Sequence, residues 1–337
     1  MPAGLSGAGY LAIVLETVNG TYLHPATAGA KFVPILSESL KYTEEKYFSP
    51  QIRQATEVSD VKQGFYHAEG DIEMEVDPDF LPYFMHCSRH TITKSGAGPY
   101  TYKYTPSTAG ATSTAASGNV QRTASITVIR NGKGFGYAGC TLGGYQFTLG
   151  DDGVLKVTLN VLGLSETDPV ANLGTPTWAT PNLIGAAGHY VYTAASAASP
   201  TFGATSTDFN GFTFGTNFNA EAQNRINALR SAAYIKFGES EHSFETELDF
   251  IDRTEYDAFV ANTQKAYRFE SLNGGATLAA ATSGIRLQAN RAVFETYDLG
   301  LSGLGDTIMA GVTARPIGIA SGDAIEVHVK TAVANIT

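Results

Sequence analysis

Residues 63–80 read QGFYHAEGDIEMEVDPDF. From Glu69 onward every second residue is acidic: Glu69, Asp71, Glu73, Glu75, Asp77 and Asp79. Between them stand Gly70, Ile72, Met74, Val76 and Pro78. A period of two sends alternate side chains to opposite faces of a β-strand. The stretch therefore predicts a strand with one apolar face on a core and one face of carboxylate. Such a face could be a catalytic pair, a metal site, a solvated surface, or a wall that must stay negative.

The rest of the chain fits a β protein. Its 337 residues suffice for one large domain or two modest ones. Hydrophobic residues make up 43% and aromatics 11%, which predicts a folded chain with real cores. Only 16% are charged while glycine is abundant, a profile of strands joined by many turns. The net charge of -10 argues against an ordinary nucleic-acid-binding groove. Cys87 and Cys140 lie far apart with no C-x-x-C pairing and are expected to be free, buried thiols. The start, MPAGLSGAGYLAIVLE, has no basic cluster, and its apolar run ends at Glu16. Neither a signal core nor a membrane span is expected there.

Turn signals punctuate the chain at Asn19-Gly20, Asn131-Gly132, Asp152-Gly153, Asn210-Gly211 and Asn273-Gly274. RTASITVI and GFGYAGC read as strands around the second, and LGGYQFTLGDDGVLKVTLNVLGL as a hairpin around the third. Helical pattern is scarce: Asp79 to Cys87, Asp252 to Asn262 with a capping box from Asp252 and Glu255, and Asn219 to Leu229. Two tracts of small polar residues, 106–119 and about 165–207, read as surface loops, the second as a linker.

The acidic strand recurs. GDIEMEVDPDFLPYF in the first half matches HSFETELDFIDRTEYDAF in the second, an E-x-E-[VL]-D strand followed by a short helix. The second row comprises Glu239, Glu241, Glu245, Glu247 and Asp249, with Ser243 in step. Downstream of each lies a hairpin, Tyr145, Phe147 and Leu149 with Leu155, Val157 and Leu159, then Tyr297, Leu299 and Leu301 with Ile308, Ala310 and Val312. The expected fold is mainly β: two copies of one β-sandwich or half-barrel module with short flanking helices, at 1–165 and 206–337, joined by 166–205.

Chemistry is hard to find. Carboxylates two apart on a strand sit roughly 7 Å apart and repel by only about 0.6 kcal/mol in water, so a wet row is tolerable. Buried, the row would be prohibitive. A glycosidase needs two acids in different surroundings across a cleft, and calcium needs oxygens converging from a bent loop. HCSRH (His86, Cys87, His90) offers three ligands with no fourth nearby. NGKGFG lacks phosphate-loop spacing, and GLSGLG near Ser302 sits in an expected turn rather than a nucleophile elbow. No enzyme, cofactor or metal is expected. A plain solvated face is weakened by the second all-acidic row.

The run DVKQGFYHAEGDIEMEVDPDFLPYFM resembles a D-V-x-G…G-D-I-E-x-E-x-x-P-D segment of tail tube proteins from long-tailed, non-contractile bacteriophages. Before it, FVPILSESLKYTEEKYFSPQIRQATE is similar to that family's first strand and long loop. After it, FGYAGCTLGGYQFTLGDDGVLKVTLNVLGLSE is similar to a hairpin ending in Gly-x-Ser-Glu, and TFGTNFNAEAQNRINALRSAAYIKFGESEHSFETELDF to the second half.

The resemblance implies a virion structural protein, assembled in the host cytoplasm, that forms rings stacked into a hollow tail tube delivering double-stranded DNA. Strands of all subunits would close into one barrel around the bore. Its partners would be copies of itself, in rings of three pseudo-hexameric chains or six, and tail proteins such as the tape measure, terminator and distal tail protein. The bore lining is expected from Glu69, Asp71, Glu73, Glu75, Asp77, Glu239, Glu241, Glu245, Glu247 and Asp249. The loop Lys41 to Asp60, too long for a turn, is expected either to touch the next ring through Tyr47, Phe48 and Arg53 or to be a mobile surface loop. The terminal stretches 1–30 and 325–333 either exchange between neighbours or complete the sheet. Rival readings are a non-polymerising distal tail or terminator protein and a β-sandwich adhesin or carbohydrate-binding module, which would show aromatic platforms instead of acidic rows.

Overall fold

The computed structural model describes residues 9–26, 29–49, 60–106, 122–150, 152–170, 176–203, 205–206, 209–225, 229–300, 308–318 and 323–336. Strands dominate. The first half contains β1 (Tyr10–Leu15), β2 (Lys31–Val33), β3 (Ser37–Glu38), β4 (Lys41–Phe48), β5 (Val61–Glu75), β6 (His90–Ser95), β7 (Tyr100–Pro106), β8 (Ala124–Arg130), β9 (Lys133–Leu149), β10 (Leu155–Gly163) and β11 (Ser165–Val170). Helix α1 (Leu81–Met85) follows β5. The second half contains β12 (His189–Ala195), β13 (Thr205–Ser206), β14 (Phe209–Asn217), β15 (Ala220–Gln223), β16 (Tyr234–Phe237), β17 (Glu241–Asp249), β18 (Lys265–Asn273), β19 (Ser283–Leu299), β20 (Met309–Pro316) and β21 (Ile325–Thr331). Helix α2 (Thr254–Val260) follows β17.

One sheet runs through both halves in the order β3/β4, β5, β10, β9, β14, β17, β20, β19, antiparallel at every step. Directly opposed residues share a face, so the register can be followed from strand to strand. Glu75 lies opposite Lys156, Lys156 opposite Thr148, and Thr148 opposite Thr213. Thr213 lies opposite Glu245, Glu245 opposite Thr313, and Thr313 opposite Thr296. One residue over, Met74, Val157, Phe147, Phe214, Phe244, Ala314 and Phe294 form the matching apolar row. Alternation written into seven separate strands thus yields one polar face and one oily face.

The oily face is covered by two further sets of strands, β2–β1–β8–β9–β11 and β13–β12–β18–β19–β21–β7–β6. Ile72, Met74, Phe147, Phe214 and Phe244 share one core with Leu11, Ile126, Tyr104, Leu287 and Val327 from these layers. β9 and β19 are each 17 residues long and serve both layers, their amino-terminal halves behind and their carboxy-terminal halves in the polar-faced sheet. Gly139, at φ 66°, lets β9 change layers where Leu164 leaves no room for a Cβ.

Several expectations need correction. The first eight residues of the Lys41–Asp60 loop are strand: β4 pairs with the start of β5, and the two extend as an arm beyond the sheet. The proposed helix at Asn219–Leu229 opens instead as β15, because Asn219 takes φ 47° in a turn closed by its own backbone N–H on Asn217 Oδ1. α2 begins at Thr254; Asp252 accepts the Thr254 N–H at 2.7 Å, but Glu255 turns away to Lys265 instead of completing the box. The tract 165–207 is more than loop, since all seven residues of β12 pair with Lys265–Ser271 of β18. β21 completes a sheet between β19 and β7, and β1 lies between β2 and β8. The tract 107–119 lies outside the described residues.

Beneath the join of β9 and β14 runs a polar thread. Ser88 Oγ lies 2.7 Å from His90 Nδ1, Tyr145 OH 3.4 Å from His90 Nε2, and Thr216 Oγ1 3.1 Å from His242 Nδ1. Burial lowers His90 to a pKa of about 3 and His86 and His242 to about 4. Their charged forms are disfavoured in the fold, so their contribution is fully present above the unfolded value of 6.5 and is lost as pH falls toward 3. Glu326 acts in the same direction: burial opposes its charge, yet bonds from His328, Lys103 and Asn290 hold it at about 2. Asp77, raised by burial, opposes them. Urea midpoints should therefore fall steadily between pH 6.5 and pH 4, and a flat profile would contradict neutral histidines beneath the join.

Candidate functional site

The polar face is built from residues that the strand period leaves no choice but to align. Glu69, Asp71, Glu73 and Glu75 lie along β5, and Glu241, Glu245 and Glu247 along β17. The two rows stand on the same face, with three strands between them. Asp249 sits at the rim and accepts a bond from Asn210 Nδ2 at 2.7 Å. Between the rows the face is dished, because Gly144 and Gly215 contribute no side chain there. Gly144 is required at this point: a Cβ would come within 2.7 Å of the Thr216 carbonyl oxygen. Asn160, Gln146 and Ser243 line the trough, with Asp71 and Glu241 at its flanks.

Two sequence assignments move. Asp77 is only 4% exposed and does not continue the row. The chain turns into α1 at that point, and its carboxylate accepts N–H bonds from Asp79 (2.8 Å) and Asn182 (2.9 Å). Burial raises its pKa in spite of those bonds. Glu239 is exposed but precedes β17, in the turn where its carbonyl holds Asn219 Nδ2. The face also contains four charges that alternation alone missed: Glu295, Asp298, Lys156 and Arg315. The bulge between Phe294 and Thr296 breaks the period of two, which hid the first pair. The cations are answered locally, Lys156 by Asp152 at 2.6 Å and Arg315 by Glu295 at 3.8 Å. The bond to Asp152 raises the Lys156 pKa, so this amine stays charged.

At the end of the acidic row, Glu69 meets the base of the arm. Burial there works against its charge, but bonds from Thr43 (2.9 Å) and His67 with Lys41 nearby outweigh it and lower its pKa. Farther out, the Tyr42 and Tyr66 rings pack at 4.8 Å. Arg230, from the second half, clasps the arm by donating to the Gly64 carbonyl at 3.0 Å and pairing with Glu44. Tyr47 and Phe48 lie beyond this clasp, each 59% exposed. Arg53 lies outside the described residues.

None of this resembles a reaction centre. His86 Nδ1 lies 2.7 Å from the Pro82 carbonyl oxygen, and His90 is held by Ser88 and Tyr145, so both are occupied as core hydrogen-bonding groups. Burial pushes the Cys87 thiol far up, away from the reactive thiolate. No grouping of metal-ligating side chains occurs among the described residues. No helix among them is long and apolar enough to cross a membrane.

Comparison with known families decides the matter. A sequence model described as phage tail tube protein matches residues 8–326. The chain belongs to the phage tail tube protein family. It is accordingly a structural component of phage tails, of a kind that assembles into a tube. A search among curated proteins returned no match. Within a tail tube protein, an uninterrupted polar face crossing eight strands is the feature that needs a role.

Exposed and buried carboxylates should respond differently to removal. Asp77→Ala is expected to cost about 1.5–3 kcal/mol, the range for losing hydrogen bonds to a charged group. Glu245→Gln, on the exposed row, should stay within about 0.5 kcal/mol of the parent. Equilibrium urea unfolding of both variants checks the contrast.

Proposed function

We propose that three copies of this chain close into a ring whose bore is lined by the acid-rich polar face, and that the rings stack into a conduit for double-stranded DNA. In this reading the two halves are copies of one module, at 1–165 and 206–337, with 166–205 between them. The observation that carries it is the shared face: both acidic rows lie on one side of one sheet, so both modules present carboxylate to the same space. A polyanion passing such a wall releases no counterions by binding it, and the like charge keeps it off the surface. Between the rows stand mainly Thr, Gln, Asn, Ser and Gly, with Lys156 answered by Asp152, and they give a passing base little apolar surface to adhere to.

Size supports three chains over six. Eight strands from each of three chains, spaced by about 4.8 Å and tilted by roughly 40°, make a barrel about 45–50 Å across at the backbone. Six chains joined in the same way would double that diameter. The arm, which projects past the sheet with Tyr47 and Phe48 exposed, is the contact to the adjacent ring. At the opposite end of the acidic strands, Ile251 and Val260 beside α2 are exposed apolar groups suited to receive it.

Negative-stain electron microscopy of the purified protein should show tubes or stacked rings, and a strictly monomeric protein at high concentration overturns the reading. Tyr47→Ala with Phe48→Ala should shorten tubes toward single rings without changing the fold by circular dichroism. Glu73→Lys with Glu75→Lys should leave tube assembly intact but lower infectivity of the reconstituted phage. Normal infectivity in that variant would place the acidic row away from the DNA.

A further inference from the structure

The chain contains a finished joint between its own two halves, and that joint specifies how one copy meets the next. β9 ends the first half's part of the sheet and β14 begins the second half's part. They pair as Phe212 with Leu149, Thr213 with Thr148, Phe214 with Phe147, and Gly215 with Gln146. At the two outer limits of the same sheet, strands equivalent to these have no neighbour on their outer side among the described residues. β19 is paired with β20 over Ala292–Leu299, while its contacts with β18 and β21 stop at Ala292. β3 is paired on one side, with β5.

Register establishes the equivalence without any appeal to shape. Glu73 and Glu75 match Glu245 and Glu247 in the repeated E-x-E motif. Ser37 lies opposite Glu73 as Thr213 lies opposite Glu245, so β3 stands where β14 stands. Thr158 lies opposite Glu73 as Thr313 lies opposite Glu245, so β10 corresponds to β20. Gln146 lies opposite Thr158 as Thr296 lies opposite Thr313, so β9 corresponds to β19.

Resting on the ring assembly above, we propose that β19 of one copy pairs antiparallel with β3 of the next, with Leu299 opposite Leu36, Asp298 opposite Ser37, Tyr297 opposite Glu38 and Thr296 opposite Ser39. An independent observation falls on the same pair. Leu36 and Leu299 are 50% and 44% exposed, unusual for leucines within or beside strands of a well-packed sheet. Their counterparts inside the chain, Phe212 and Leu149, meet each other, and Phe212 is buried there to 5%. The pairing buries both leucines against each other and removes two open strand edges that would otherwise recruit foreign chains. It also continues the polar face, since Ser37 and Asp298 stand on the side of Thr213 and Thr148.

Cysteine pairs in the full-length protein test this directly. Because opposed residues in an antiparallel ladder alternate between closer and wider spacing, two in-register pairs are needed: Leu36→Cys with Leu299→Cys, and Ser37→Cys with Asp298→Cys. All four positions are exposed, and the native Cys87 and Cys140 are buried, so folding and background are protected. After mild oxidation of assembled protein, at least one pair should give a covalent ladder on a non-reducing gel that ends at three chains. Each single-cysteine variant, and the shifted pair Ser37→Cys with Thr296→Cys, should lose the ladder. Leu36→Asp should remain folded and monomeric by sedimentation.

Tubes from the unmodified protein combined with no ladder from either pair would overturn the joint and leave the tube reading standing. Preference for the shifted pair would overturn the register. A ladder ending at six would support the joint and overturn the ring of three. No tubes and no ladder would overturn both.

Discussion

Everything in this molecule depends on the antiparallel register being kept across the join of β9 and β14. If that pairing slipped by one residue, every side chain beyond it would change face. Glu245 and Glu247 would turn into the core and Phe244 out of it. The pairing is protected from both sides. Gly144 lets the two backbones approach where a Cβ would strike the Thr216 carbonyl. Behind it, Phe147, Phe214 and Phe244 belong to one continuous core. The polar face is therefore a consequence of core packing on its reverse side as much as of its own residues.

Charge on the face is arranged differently from charge in the interior. Carboxylates on the exposed face stand in rows open to solvent. Those in the rows that have partners, such as Asp71 with Asn160 and Glu73 with Ser37, take them from neutral polar side chains or, at Glu69, from the base of the arm. Where the chain buries a charge, it supplies a partner: Glu270 is met by Arg286 at 2.6 Å, Glu326 by Lys103 at 3.0 Å, and Asp77 by two backbone N–H groups. This division separates the acids of the exposed face from those that hold the fold, within a chain whose acidic residues look alike in sequence. It also explains why Asp77, which continues the alternation perfectly, belongs to the second class. The strand ends at Glu75, and the turn into α1 takes the next acid inward.

Much of this was legible from the residues. The period of two at Glu69–Glu75 and Glu241–Glu247 identified both rows and their strands, and the Asn131-Gly132 turn marked the β8–β9 hairpin, with both residues at positive φ. What escaped detection had physical causes. A bulge displaced Glu295 from the phase of Asp298. The arm strand β4 has no apolar alternation, because much of it stands clear of any core. Asn219 redirected a segment with good helical composition into β15. Most importantly, alternation tells which residues share a strand face but not which strands share a sheet. That both acidic rows face one way followed from the pairing of β9 with β14, which is a contact between distant parts of the chain.

The two long strands have a mechanical meaning. β9 and β19 each pass from the rear layer into the polar-faced layer without a break in the chain. In an ordinary two-layer stack, the layers are held by side-chain contacts alone and can slip past one another under shear. Here a load applied to the rear layer is conveyed along covalent backbone to the polar-faced sheet at two places. The two layers must deform together, so the polar face resists buckling when the rear layer is flexed. A sheet tied in this way keeps its width while the layer behind it bends.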